Sequence, residues 1–439
     1  MSTDLAQLDR DHLWHPFTQQ KGWCEEEPLL IERAEGSHLI DSEGRRYIDG
    51  VSSLWCNVHG HRHAGIDAAV SDQLGKVAHS TMLGLSHPGG AELAARLVEL
   101  APAGLSRVFY SESGSTAVEI ALKMAFQYQQ QRGGQHARRT SFVHLRDSYH
   151  GDTIGSVSVG GMDLFHSTYR PLLFQTHCTE PGDAADLKRV LSMHEEEIAA
   201  VIVEPLVQGA AGMLTHPAGY LRTVRELCDN FGVLLICDEV ATGFGRTGTM
   251  FACEQEGVAP DLLCLAKGLT GGYLPLAATL ASEQIYDGFL GAPQEYRTFF
   301  HGHTYTGNPL ACAAALANLD AFESERTLER LQPKIALLQE LLGHVAAMPE
   351  VVEVRGRGFM VGIDLGEHDP ALRLGHQVTL EARERGAIIR PLSDVVVLMP
   401  PLSISEAELR ELVEITAESI EAAASTSTIA ESASFAQAA

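Results

Sequence analysis

Two stretches of the chain, Val201-Ile202-Val203 and Val233-Leu234-Leu235-Ile236-Cys237, carry no charged or strongly polar side chain. A strand with one face in water alternates apolar and polar residues, because successive side chains point to opposite faces. An unbroken apolar run therefore predicts a strand buried on both faces, as in a parallel sheet with helices on each side. Shorter runs at 107–110, 198–203, 262–266 and 276–281 repeat the signal. Helical periodicity covers 91–100, 115–131, 218–230, 309–323 and 328–347. This alternation predicts an α/β fold with a mostly parallel sheet.

The rhythm changes at both ends. Residues 37–50 alternate around a Ser-Glu-Gly turn and predict a β-hairpin. After 348, short strands at 351–355, 359–364, 388–390 and 395–399 join helices at 371–385 and 405–423, a smaller α+β unit. The 439 residues suffice for two or three domains. The expected division is a large domain over 75–335 and a small one combining 1–74 with 336–439. Residues 425–439 are low in complexity and expected to fray.

Lys and Arg number 32 against 57 Asp and Glu, a formal charge of −25. That balance argues against a nucleic-acid groove or adsorption to anionic lipid, both of which need clustered basic residues. No window holds ~18 uncharged apolar residues, so no transmembrane helix is expected. The start, MSTDLAQLDRDHLWHPF, has acids and no apolar core, so no secretory signal is read there. The eight Cys contain no CxxC pair. They predict free thiols, mostly buried, in a reducing cytoplasm. The 20 His show no metal-ligand spacing. In the tempting HGHRH at 59–63, Gly60 and the following Ala64-Gly65 suggest a turn, and no metal is expected.

Four features carry chemistry. Asp238-Glu239 ends a buried apolar run, and carboxylates at the carboxyl edge of an α/β sheet face the ligand crevice. Read alone, such an acid could equally cap a helix. Lys267 directly follows Leu265-Ala266, where desolvation would lower its pKa and make the amine nucleophilic. Read alone, it could be a surface lysine lying along apolar neighbours. Ser111-Glu112-Ser113-Gly114-Ser115-Thr116 opens a helix, and free N–H groups there suit a phosphate. In Ser148-Tyr149-His150-Gly151-Asp152-Thr153 the aromatic ring could stack on a flat cofactor.

In order and context these parts resemble the class III aminotransferases of the fold type I pyridoxal phosphate enzymes, over roughly residues 10–425. The most specific pieces are Asp238-Glu239-Val240, Gly243-Phe244-Gly245-Arg246-Thr247-Gly248 and the Lys267 that follows. The resemblance implies pyridoxal 5'-phosphate as cofactor. Lys267 would hold it covalently and then move the proton. Asp238 would pair with the pyridine nitrogen, and Gly114 and Ser115 would bind the phosphate. His303 and Thr304 would reach that phosphate from the other subunit of a homodimer. Tyr149 would stack on the ring and touch substrate. Gly302, Phe17, Leu54 and Trp55 would line the substrate pocket, Arg390 would grip a carboxylate, and Asp152 and Arg246 would support it.

Within the class, His12-Leu13-Trp14-His15-Pro16-Phe17-Thr18, Ser52-Ser53-Leu54-Trp55 and His301-Gly302-His303-Thr304-Tyr305-Thr306-Gly307-Asn308-Pro309 are similar to one branch. That branch aminates 8-amino-7-oxononanoate to 7,8-diaminononanoate in biotin biosynthesis. An ω-amine or diamine:pyruvate aminotransferase is the alternative. Many members carry Tyr where this chain has Phe17, and Trp where it has Leu54. The lost hydroxyl and aromatic face leave the amino donor open between S-adenosylmethionine and lysine. Gln208-Gly209-Ala210 lacks the Glu that follows Gln-Gly in ornithine and γ-aminobutyrate relatives, which speaks against those activities.

Overall fold

The computed structural model describes residues 4–438, with side chains described through 426 except that of Phe165. At its centre is a seven-stranded sheet. In spatial order its strands are Leu105–Ser111, Ala277–Ser282, Leu262–Leu265, Leu234–Asp238, Ile198–Val203, Ser141–Leu145 and Thr176–Thr179. Ala277–Ser282 runs antiparallel to both neighbours, and every other pairing is parallel. The apolar runs behave as their composition demands. Each residue of Ile198–Val203, Leu234–Asp238 and Leu262–Leu265 is buried, with helices such as Gly114–Arg132, Tyr220–Phe231 and Pro309–Ser324 packed about the sheet.

Two strands, Ser141–Leu145 and Thr176–Thr179, carry no continuous apolar signal. Thr176–Thr179 is the edge strand, half-exposed and rich in Thr, so burial does not mark it. The hairpin at 37–50 forms as His38–Asp41 and Arg46–Asp49, with Ile31–Glu35 added outside. The strand expected at 388–390 is two strands. Ala387–Ile388 pairs in parallel with Arg46–Asp49, whereas Arg390–Leu392 joins Val395–Leu398, Met360–Asp364 and Glu353–Arg357 in a separate antiparallel sheet. Ile389, buried between them, is where the chain changes sheets. The helix expected at 405–423 is Glu406–Ala438. The fraying expected for 425–439 falls almost wholly outside the residues whose side chains are described.

All eight cysteines are free thiols, five of them buried. His59, His61 and His63 each take a different partner: the Asn318 carbonyl, Asp49 and Glu325. His63 also caps the helix Ala64–Leu74. No helix is long and apolar enough to cross a membrane among the described residues.

Leu263 lies in the middle of the sheet with no exposed surface. Leu263→Ala should cost about 2–5 kcal/mol, read as a lower urea midpoint at unchanged slope. An unchanged midpoint would refute this account of the core.

Candidate active site

The strand Leu234–Asp238 delivers Asp238 to the carboxyl edge of the sheet. Its neighbour Ile198–Val203 aligns Val203 with Cys237, so the next residues along, Glu204 and Asp238, stand abreast. Both are buried. His150 Nδ1 lies 2.7 Å from one Asp238 oxygen, and the Val240 N–H donates to the other at 3.0 Å. Glu204 accepts the Tyr149 N–H at 3.2 Å and the Gly209 N–H at 3.0 Å. Burial pushes its carboxyl up to about 7 against the pull of His150, and Asp238 adds to the rise. Glu239, the second acid of the pair seen in the sequence, points away. It accepts the Ala252 and Cys253 N–H groups at 2.6 and 2.7 Å. Of the two acids, it is Glu239 that serves as the structural cap.

These groups face a cavity of about 720 Å³. Trp55, Glu112, Gly114, Ser115, Tyr149, Asp152, Glu204, Asp238 and Lys267 line it. Lys267 begins the short 3-10 helix Lys267–Thr270 with φ +46°, a left-handed conformation unusual for lysine. Its Nζ lies 5.1 Å from the centroid of the Trp55 ring. Among the described residues it makes no ion pair or hydrogen bond. Burial lowers its pKa below the usual lysine range, against the upward pull of Asp238 and Glu204.

The helix Gly114–Arg132 begins at the cavity. Ser113 caps it, exchanging hydrogen bonds with Thr116. The N–H groups of Gly114 and Ser115 belong to its first turn, where no intrahelical acceptor exists. A Cβ on Gly114 would sit 2.4 Å from Val240 Cγ1, and one on Gly151 2.3 Å from Ser115. Only glycine lets the helix start, the Asp238-Val240 turn and the 148–153 loop converge. The Tyr149 hydroxyl donates to Asp152 at 2.7 Å, and burial raises its pKa well above the usual tyrosine range.

Not every residue nominated from sequence reaches the cavity. Arg246 does not: it is buried, with its guanidinium donating to the Pro400 carbonyl at 2.7 Å and the Asn57 carbonyl at 2.6 Å. Burial lowers its pKa to about 10. It is a strut behind the site. Arg390 stands outside the lining, beside Tyr149 and half-buried. Its guanidinium has no ion pair or hydrogen bond among the described residues. Phe17, Leu54, Gly302 and Thr304 are exposed on the single chain. His303 Nδ1 lies 2.6 Å from Glu112 of the same chain.

Sequence reasoning passed over His150 and Glu204. Glu204 had a usable signal, an acid directly after an all-apolar run, the same rule that singled out Asp238. His150 sat inside a quoted motif, but only folding brings it 88 residues along the chain to Asp238.

Because burial lowers the Lys267 pKa against the pull of Asp238 and Glu204, its labelling by acetic anhydride should titrate at lower pH than that of a free lysine amine. Mass spectrometry of cofactor-stripped protein reads this site by site. Labelling of Lys267 with the pH profile of a free lysine amine would refute the desolvated amine.

The aminotransferase class III family model matches residues 21–420. The adenosylmethionine-8-amino-7-oxononanoate aminotransferase of Nitratidesulfovibrio vulgaris is 59% identical over 433 residues, covering 93% of this chain and 80% of that protein. A crystal structure of the enzyme of the same name from Methanocaldococcus jannaschii superposes with a TM-score of 0.93 at 45% identity, covering 95% of this chain and 98% of the other. An amine transaminase from an uncultivated Pseudomonas species, in its PLP-bound form, superposes with a TM-score of 0.86 at 37% identity, covering 94% and 98%.

Proposed function

The chain belongs to the class III aminotransferases, which work with pyridoxal phosphate, and on that premise we propose that it transfers an amino group from S-adenosylmethionine to 8-amino-7-oxononanoate. The observation that carries the chemistry is the pairing, in one cavity, of a desolvated amine without a salt-bridge partner among the described residues, Lys267, and a buried carboxylate held by His150, Asp238. The substrates follow the names of relatives that match along most of their length.

The residues present fit the cofactor. The Gly114 cradle would be closed by a single Cβ, the first-turn N–H groups suit a phosphate, and an acid and an amine face the same space. When bound, pyridoxal phosphate supplies a carrier for the nitrogen and an electron sink for the carbon that loses its proton. Asp238 would keep the proton on the pyridine nitrogen. Lys267 Nζ would anchor the group, then take the proton from the donor carbon and return it. Gly114 and Ser115 would hold the phosphate, and Tyr149 would cover the ring and meet substrate. Arg390, whose side chain meets no carboxylate among the described residues, would take the substrate carboxylate in paired hydrogen bonds. Trp55 and Asp152 would line the substrate side.

We further propose a homodimer in which Gly302, His303 and Thr304 of one chain serve the cavity of the other, and Phe17 and Leu54 border the pocket there. Supporting this, Leu83, Leu85, Phe300 and Tyr305 leave a large apolar area exposed on the single chain. The division into a large domain over 75–335 and a small one from the two ends belongs to the same reading. So does a cytoplasmic location, which the free thiols suit.

The donor is tested by the half-reaction. S-adenosylmethionine added to holoenzyme should bleach the visible absorbance of the lysine-bound cofactor. A buried hydroxyl's hydrogen bond is worth only about 1 kcal/mol net, so Phe17 weakens this donor without excluding it. Bleaching by lysine alone, with none by saturating S-adenosylmethionine, would overturn the choice of donor. Bleaching by simple amines with pyruvate as acceptor would favour the reading of an amine transaminase.

Assembly is tested by complementation. Lys267→Ala and Thr304→Val chains, each inactive alone, should regain activity when mixed, because one of the two sites in a heterodimer is then complete. No recovery in fully exchanged mixtures would assign Thr304 to its own chain's site.

A further inference from the structure

We propose that His177, His194 and Glu197 form a binding site for a divalent transition-metal ion at the edge of the sheet opposite the catalytic cavity. The crossover that follows the edge strand Thr176–Thr179 builds it. The helix Ala184–Met193 runs back across the sheet, His194 terminates it, and Glu197 directly precedes Ile198–Val203. Helix end and strand start therefore lie at the amino edge, whereas Asp238 and Glu204 lie at the carboxyl edge. His177, second in its own strand, reaches the same place.

The donor atoms of the three side chains lie within 4.8 Å of one another. The two imidazole rings are 3.9 Å apart between centroids, with their planes 29° apart. His194 Nδ1 is 3.3 Å from Glu197 Oε2. Bonds of about 2.0–2.2 Å to a tetrahedral ion place ligand atoms roughly 3.4 Å apart, so an ion would draw the three side chains closer together. Two imidazole nitrogens and one carboxylate oxygen suit Zn²⁺ and its neighbours in the first transition row and leave a position for water. Both histidines are half-buried and Glu197 is exposed, so the ion has a path from solvent.

The backbone is already fixed. The Glu197 and Ile198 N–H groups donate to the His194 carbonyl at 2.9 and 3.2 Å, and the Glu197 carbonyl accepts from Thr140 and Ser141 N–H at 2.8 and 3.0 Å. Two of the three ligands are thus pre-positioned, and the third comes from a strand with no sheet neighbour on its outer side. An ion here would staple that edge to the crossover, protecting the strand most open to fraying. His194 and Glu197 meet across a local turn three residues long, and only the fold brings His177 to them.

Chelator-stripped holoenzyme should take up one Zn²⁺ per chain with micromolar affinity in calorimetric titration with zinc sulfate. His177→Gln and His194→Gln should each weaken this by about tenfold or more, and Glu197→Gln, at an exposed position, serves if either histidine variant misfolds. Zinc should also slow amide exchange across 176–179 in wild type and not in the variants, with zinc-free transaminase activity unchanged throughout. No uptake, or uptake undiminished in all three variants, would overturn the site.

Discussion

Two buried carboxylates and a buried amine face one cavity, and the rest of the architecture answers to their compensation. A buried charge without partners costs several kcal/mol. Asp238 is met by His150 and the Val240 N–H, and Glu204 by the N–H groups of Tyr149 and Gly209. Because backbone donors do much of this, compensation also fixes the shape of the cavity. The loop that carries Tyr149 and the turn that carries Gly209 are tied to Glu204. The turn after Asp238 folds back on its own carboxylate. Glu239, one residue on, anchors Ala252–Glu256 by the same means.

Two residues that line the cavity, Lys267 and Trp55, adopt positive φ without being glycine, each at a cost on the order of 1–3 kcal/mol. Glycines 114 and 151 do the complementary job, letting backbone approach where a Cβ would collide. The fully buried strands beside the cavity supply the rigid frame that such conformations need. An amine displayed from a strained residue on a short helix has few alternative positions, which suits a group that must act at one atom.

A single chain closes the floor and back of the cavity but leaves its mouth open. Tyr149, Asp152 and Trp55 line the inside, while Phe17, Leu54, Gly302 and Thr304 are exposed. With several apolar side chains exposed as well, this surface has the character of an interface, in keeping with the homodimer proposed above. Arg246 is the instructive exception. Its place in a family motif suggested a supporting role at the substrate, and on the single chain its guanidinium links the Asn57 turn to Pro400.

The sequence determined the sheet, because burial on two faces leaves an unmistakable apolar run. It also placed Asp238 and Lys267 at the sheet's edge, because each ends or follows such a run directly. It did not mark the edge strand Thr176–Thr179, whose half-exposed Thr and His carry no hydrophobic pattern, nor the interior strand Ser141–Leu145, nor the switch of sheets at Ile389. Partnership was decided only by tertiary structure. Strand register sets Glu204 beside Asp238, a loop brings His150 to it, and a crossover helix brings His194 and Glu197 to His177. Local sequence fixes which groups are buried and where a strand ends. Which groups then meet depends on how distant segments pack, and no short window of sequence contains that information.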